Sequence, residues 1–206
     1  MQLADQRARL DVQRRGLTFF GVHIFLQEYD SHSGVAPVDL ALKVAQAGAD
    51  LGAERLILSG VQATAEALNG VAAQLRPLEV QLAYHNHGAE FLGPRPEIET
   101  LFAETDPGLV WFLLDAGHAF RAGVDLPVFL ADHAARLTGI HLRDFKGGRQ
   151  VPLGQGDFPL AQVAGALQAR NWSGWVLAEE EREDGSKPGV HAAGPARAAL
   201  KQAFGV

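Results

Sequence analysis

The sequence contains no cysteine, which excludes disulfide bonds, thiolate metal ligands and a cysteine nucleophile. It also has no excess of basic residues: the formal net charge is −6, whereas proteins that bind a phosphate backbone usually carry a basic surface. No apolar run approaches the roughly 20 residues of a membrane span, and the N-terminal residues lack the apolar centre of a signal peptide. These absences predict a cytoplasmic protein that binds neither nucleic acid nor membrane.

What the sequence does contain is enough apolar surface for a full core. Its 206 residues are 47% hydrophobic, with no low-complexity tract and no linker rich in proline and serine. A chain of this size and composition is large enough to bury one hydrophobic core. We therefore expect a single domain over residues 1–206.

Short apolar runs alternate with helical patterns along the whole chain. Most of the runs are nearly continuous rather than alternating, which is typical of strands covered on both faces. The alternation predicts an α/β fold with a parallel sheet. The predicted strands are residues 17–26, 55–59, 80–85, 109–115, 137–142 and 174–179, and the predicted helices are roughly 2–15, 37–53, 61–75 and 159–170.

The four later strands each end in an acid or a histidine. Ligands bind at the carboxyl ends of parallel strands, so these side chains are expected to meet. Carboxylates and imidazoles without thiolates suit a hard-to-borderline divalent ion such as Mn²⁺, Co²⁺, Mg²⁺ or Zn²⁺. In chain order the side chains are His85, His87 and Glu90, then Asp115 and His118, then His141 and Asp144, and finally Glu179.

Each of these residues also has an ordinary structural interpretation. A lone His141 in an apolar strand would usually be a hydrogen-bonded core residue, and Asp115 or Asp144 would cap the next helix. Arg143 and Lys146 would bind a phosphate or lie solvated on the surface. The segment "PLGQGDFPL" would cradle a phosphate with its backbone N–H groups or form a plain turn. The metal-site hypothesis depends on four strands having the same kind of ending.

Five segments, taken in order, resemble the sugar phosphate isomerase/epimerase family. They are "YHNHGAEF", "LLDAGHAFRAGVD", "GIHLRDFKGG", "PLGQGDFPL" and "GWVLAEEE". The resemblance covers roughly residues 10–200 and implies a xylose isomerase-like TIM barrel. Inosose dehydratases and ketose 3-epimerases belong to the same group.

The resemblance implies a divalent metal held by side chains from successive strands. It places an aspartate ligand on Asp115, a histidine ligand on His141 and the last glutamate ligand on Glu179. The first ligand falls on or beside His85, and Glu90 follows where relatives often carry a second acid. Substrate hydroxyls would be oriented by His118, which matches a family substrate-contacting histidine, and by His87 and Lys146.

The front of the chain departs from the family pattern. Relatives begin with two further strands, so the resemblance implies a barrel that lacks its first two βα units and keeps six parallel strands. Either the chain is a barrel fragment, or it is a shortened relative. Exposed edges at the first and last strands would favour pairing with a second chain, as in a homodimer.

The implied activity is that of a metal-dependent isomerase, epimerase or dehydratase acting on a small sugar, keto-sugar or polyol. The metal would polarise a carbonyl, and Glu179, Glu90 or His85 would take the neighbouring proton to give an enediolate. Epimerisation, isomerisation and dehydration all share this intermediate. The alternatives are a metal nuclease like the AP endonucleases, which the acidic charge disfavours, and a catalytically inactive truncated relative.

Overall fold

The computed structural model describes residues 9–25, 37–60, 64–180 and 189–205. Eight strands and seven α-helices lie in these ranges, and residues 9–14 are helical in addition. In chain order they are β1 (Val22–Phe25), α1 (Pro37–Leu51), β2 (Arg55–Ser59), α2 (Ala65–Leu75), β3 (Gln81–His85), α3 (Glu97–Glu104), β4 (Val110–Asp115), α4 (Ala116–Arg121), α5 (Leu126–His133), β5 (Leu137–Leu142), β6 (Asp144–Lys146), β7 (Arg149–Val151), α6 (Leu160–Gln168), β8 (Trp175–Ala178) and α7 (Gly189–Phe204).

Six of the strands form one sheet in the order β1-β2-β3-β4-β5-β8. The pairs β1–β2, β2–β3 and β5–β8 are parallel. The predicted α/β class and the six-stranded parallel sheet are therefore confirmed. The strands predicted to be edges, β1 and β8, stand at the two ends of this order.

The described residues group into two compact units, one drawn from 1–86 with 98–112 and the other from 87–97 with 113–206. Strand β4 contributes its first half to one unit and its second half to the other. The expectation of a single domain over 1–206 stays a prediction.

The first unit has its core under strands β2 and β3. Leu56 and Leu82, which are partners in the register of these strands, are both fully buried. The rings of Phe102 on α3 and Phe112 on β4 stack with centroids 3.8 Å apart. Helix α2 starts where Thr64 accepts a hydrogen bond from the N–H of Ala67 at 3.1 Å, as an N-cap residue should.

The second unit is built around β5 and β8. His141 pairs with Leu177 in the parallel register, and the N–H of Glu179 donates to the carbonyl of Leu142 at 2.9 Å. The β6–β7 hairpin follows β5, and both residues of its tight turn, Gly147 and Gly148, have positive φ. Such turns require that backbone conformation at both positions, which glycine adopts without strain.

Candidate metal centre

Asp115 ends strand β4 and caps helix α4 at the same time. Its Oδ1 accepts the N–H of His118 at 2.8 Å, and its side chain is fully buried. The structural interpretation of Asp115 as an N-cap is therefore correct. Since the cap uses Oδ1, the second oxygen, Oδ2, is directed to other partners.

His141 and Glu179 reach the same place from two paired strands. Side chains two residues apart on a strand share a face, so Glu179 follows its neighbour Leu177 onto the face that carries His141. The Nδ1 atom of His141 lies 2.5 Å from Oε2 of Glu179. Asp115, His141 and Glu179 each offer a ligand atom, and these atoms lie within 4.8 Å of one another. Three predicted ligands thus form one cluster.

Arg143 joins the two carboxylates of this cluster. Its Nη2 lies 2.8 Å from Oδ2 of Asp115 and 2.6 Å from Oε2 of Glu179. The side chain is 6% exposed. The interpretation of Arg143 as a solvated surface residue is therefore wrong: two residues beyond His141, it lies on the strand face that carries the cluster, where two acids neutralise it.

The two carboxyl groups have opposite electrostatic surroundings. Burial raises the pKa of Asp115, and the charge of Arg143 and the hydrogen bond from the N–H of His118 offset that rise only in part. Burial acts in the same direction on Glu179, but its hydrogen bond to His141 and the charge of Arg143 lower its pKa to about 2. Glu179 therefore keeps its charge over the whole physiological range. A further cation nearby would therefore stabilise the ionised form of Asp115 more than that of Glu179.

Two histidines and a glutamate lie beside Asp115. Nε2 of His118 lies 3.9 Å from Oδ2 of Asp115, and the rings of His118 and His87 have centroids 5.2 Å apart. Burial lowers the pKa of His118, which favours the neutral imidazole. The Oε1 atom of Glu90 accepts the N–H of His87 at 3.1 Å. Both predicted substrate-binding histidines thus lie together, while Glu90 is not in the ligand cluster found among the described residues.

The remaining predicted site residues are His85 and Lys146. His85 ends β3 in the first unit, where it is buried and its ring makes an edge contact with that of His23 at 5.2 Å. Lys146 is exposed on the β6–β7 hairpin opposite Arg149. The side chain of His23 is exposed on β1, and its Nε2 lies 2.7 Å from Oγ of Ser59.

Asp144 organises the glycine-rich segment that follows the hairpin. Its fully buried carboxylate accepts four backbone N–H groups, at distances of 2.8 to 2.9 Å. These donors belong to Phe145, Gly154, Gly156 and Phe158. The N–H groups of Gly154 and Gly156, the two glycines that were candidates for a phosphate cradle, are therefore already bound to Asp144, which is neither a helix cap nor a ligand in the cluster.

A profile of the xylose isomerase-like TIM barrel matches residues 13–203. The chain belongs to the xylose isomerase-like TIM barrel family. The predicted resemblance is thereby confirmed. Curated relatives in this family include the inosose dehydratase of Clostridium tetani, which is 29% identical over 139 residues. The aligned part covers 58% of this chain and 46% of that enzyme, so the chain spans about half the length of the curated relatives it matches.

Several solved structures share the fold of this chain at lower identity. A sugar phosphate isomerase/epimerase from Parabacteroides distasonis is 17% identical with a TM-score of 0.72, covering 97% of this chain and 75% of that chain. An L-ribulose 3-epimerase is 17% identical with a TM-score of 0.76, covering 97% and 79%. The IolI protein, solved with a zinc atom, is 15% identical with a TM-score of 0.76, covering 97% and 81%. The described helices of this chain are too short or too polar to cross a bilayer.

Proposed function

We propose that this chain is a divalent-metal-dependent isomerase, epimerase or dehydratase acting on a small sugar, keto-sugar or polyol. One observation carries the proposal: the cluster of Asp115, His141 and Glu179 at the carboxyl ends of three strands. Relatives named inosose dehydratase and L-ribulose 3-epimerase supply the substrate class. Inososes and ketoses share a carbonyl with a neighbouring hydroxyl.

The charges of the cluster fit a divalent ion. Two carboxylates and one imidazole form a donor set that Mn²⁺, Co²⁺, Mg²⁺ and Zn²⁺ all accept. With both acids ionised, the single positive charge of Arg143 offsets only one of the two negative charges. Burial also raises the pKa of Asp115, so a cation beside it would favour its ionised form. We propose Asp115, His141 and Glu179 as ligands, with His85 as the fourth because it ends the strand next to β4 in the sheet order.

The reaction also needs a general base among the protein side chains. A bound ion would act as a Lewis acid on the substrate carbonyl and thereby acidify the adjacent C–H. A general base works best when its pKa lies near the working pH. The pKa of Glu179, at about 2, suits a permanently ionised ligand better than a base. Of the three predicted bases, we therefore place Glu90 and His85 ahead of Glu179.

His118 and His87 would orient the substrate. Their rings lie side by side next to Asp115, and His118 is kept neutral, so it can both donate and accept a hydrogen bond. Removal of the substrate proton would give an enediolate. Return of the proton to the other face gives epimerisation, return to the neighbouring carbon gives isomerisation, and loss of a β-hydroxyl gives dehydration.

The first test is stoichiometric metal binding by the purified chain. We expect one divalent ion per chain by elemental analysis, lost in Asp115→Asn and His141→Ala but retained in Asp125→Asn. Asp125 is a matched control because it also caps a helix, α5, but lies on the surface away from the cluster. A wild-type chain that retains no ion, and whose melting temperature does not respond to any of the four ions, would contradict the proposal.

The second measurement detects removal of the substrate proton directly. All three outcomes pass through an enediolate, so the metal-loaded chain should exchange a substrate C–H with deuterium from D₂O, observed by NMR on a panel of ketoses and inososes. Exchange in the wild type and its loss in Asp115→Asn would support the reaction class before any product is known. Metal binding without exchange on any member of the panel would favour the catalytically inactive alternative.

A further inference from the structure

Arg143 is placed in a way that a simple surface ion pair does not require. One nitrogen, Nη2, bonds to Oδ2 of Asp115 and to Oε2 of Glu179, while the side chain is almost entirely buried. Hydrogen bonds between charged groups are short and strong, particularly away from water. Without Arg143, the fully buried Asp115 and the partly buried Glu179 would repel each other. The guanidinium therefore fixes the separation of the two carboxylates.

Gly117 provides the space for the stem of Arg143. A Cβ atom at Gly117 would lie 2.1 Å from Cγ and 3.0 Å from Cδ of Arg143, and 3.2 Å from its backbone oxygen. The first of these distances is far below van der Waals contact, so any larger residue would displace the stem. Gly117 has no left-handed φ, so it is required for space rather than for backbone conformation.

Gly117 and the proposed ligand Asp115 belong to the same short segment. Gly117 lies two residues after Asp115, inside helix α4, which Asp115 caps. Residues 115–117 thus provide both the carboxylate of Asp115 and, at Gly117, the space that the stem of Arg143 occupies. Arg143 in turn lies two residues after His141 and contacts the acid that bonds to His141. Arg143 thus contacts the ligands Asp115 and Glu179 directly, and His141 is linked to it through Glu179.

We propose that Arg143, seated against Gly117, is a positioning residue that holds Asp115 and Glu179 in the arrangement a divalent ion needs. The inference rests on the proposed function, since it concerns the same cluster. It differs from a purely electrostatic role, in which the positive charge of Arg143 would only repel the incoming ion. The two roles predict opposite signs: loss of a positioning residue weakens ion binding, whereas loss of a repelling charge strengthens it.

The test is a double-mutant cycle on Co²⁺ affinity, measured by calorimetry on the metal-free chain. Outer-shell partners of metal ligands typically contribute about 10- to 100-fold in affinity, so Arg143→Met should weaken Co²⁺ binding by about that factor. Arg143→Lys keeps a charged donor on a long stem and should lose less. Gly117→Ala should reproduce the loss, and the Gly117→Ala/Arg143→Met double variant should be no weaker than Arg143→Met alone.

The visible absorption spectrum of bound Co²⁺ separates positioning from general destabilisation. A change in carboxylate placement alters the Co²⁺ spectrum, so Arg143→Met and Gly117→Ala should both shift it. Gly165→Ala is the matched control, since Gly165 also lies in a helix but an added Cβ there meets nothing within 4 Å. That variant should leave both affinity and spectrum unchanged. If Arg143→Met does not fold, Arg143→Lys and Gly117→Ala carry the comparison.

Each outcome decides the inference. Unchanged or tighter Co²⁺ binding in Arg143→Met would overturn it while leaving the proposed function intact. Additive losses in the double variant would show that Gly117 does not act through Arg143 and would overturn the pairing. Absence of Co²⁺ binding in the wild type would overturn both the inference and the proposed function, and Asp115→Asn would then be indistinguishable from the wild type.

Discussion

Neighbouring residues of opposite charge serve two separate structures just beyond β5. Arg143 pairs with the carboxylates of Asp115 and Glu179. Asp144 instead accepts backbone N–H groups, one from the hairpin strand β6 and three from the segment that follows the hairpin. Consecutive side chains in an extended chain face opposite ways, which explains how adjacent residues reach different surroundings. Arg143 and Asp144 thus connect the candidate metal centre to the glycine-rich segment that follows the hairpin.

Replacing Asp144 with alanine should destabilise the protein more than replacing an ordinary cap. Four N–H groups would lose their acceptor, and each buried donor left unsatisfied costs about 1–3 kcal/mol, so we expect a loss of about 3 kcal/mol or more. Asp125→Ala is the matched control, because Asp125 accepts a single N–H at 3.2 Å on the surface and should cost about 1 kcal/mol. Urea unfolding measures both. Equal losses would show that the four bonds are not acting together.

At the scale of elements, the strands were the most predictable part of the fold. Five of the predicted runs match β2, β3, β4, β5 and β8 to within one residue at each end, because their apolar residues are continuous. The first run was predicted too long: in its described part, strand begins only at Val22, since residues 17–21 are less deeply buried. Residue 26, the last of that run, lies outside the described residues.

Elements too short for a periodic pattern were missed. The hairpin strands β6 and β7 have three residues each, and helix α4 has six, which is less than two turns. Helices α3, α5 and α7 were not predicted either. The strand endings predicted that acids and histidines would meet, and the family resemblance singled out Asp115, His141 and Glu179 among them. The ion pairs of Arg143 with Asp115 and Glu179 were not predicted, although its position two residues after His141 already placed it on the same strand face.

The start of helix α3 carries an acid in an unfavourable place. Burial and the negative charge of Glu90 both raise the pKa of Glu97, its first residue. A raised folded-state pKa means that Glu97 contributes most stability at low pH, and that this contribution is lost as pH rises from about 4.5 through the folded-state value. Above that value the ionised carboxylate destabilises the fold.

Glu97→Gln should therefore raise the melting temperature at about pH 7 and change it little at about pH 4, where the wild-type carboxyl is largely protonated. Glu99→Gln, on the exposed side of the same helix, is the control for the loss of one negative charge. Thermal unfolding followed by circular dichroism at the two pH values gives the comparison. An equal effect of Glu97→Gln at both pH values, or the same effect from Glu99→Gln, would contradict the assignment.

For the whole molecule, strand β4 is the feature that bears on whether the chain is one domain. Its residues Val110–Phe112 belong to the first compact unit and Leu113–Asp115 to the second. Phe112, Leu113 and Leu114 are at most 1% exposed. Unfolding of either unit alone would leave half of a buried strand without its packing, and exposing large apolar side chains costs about 1.5–3 kcal/mol each. This continuity favours one cooperative transition.

The three tryptophans allow that prediction to be tested unit by unit. Trp111 lies in the first unit, and Trp172 and Trp175 lie in the second. In Trp111→Phe, fluorescence reports only the second unit; in the Trp172→Phe/Trp175→Phe variant, it reports only the first. Within each variant, the urea midpoint by fluorescence should coincide with the midpoint by circular dichroism, which follows the whole chain. A fluorescence midpoint displaced from the circular dichroism midpoint in either variant would mean that the two units unfold separately. The proposed ligands Asp115, His141 and Glu179 would then lie on a domain that folds independently of the first unit.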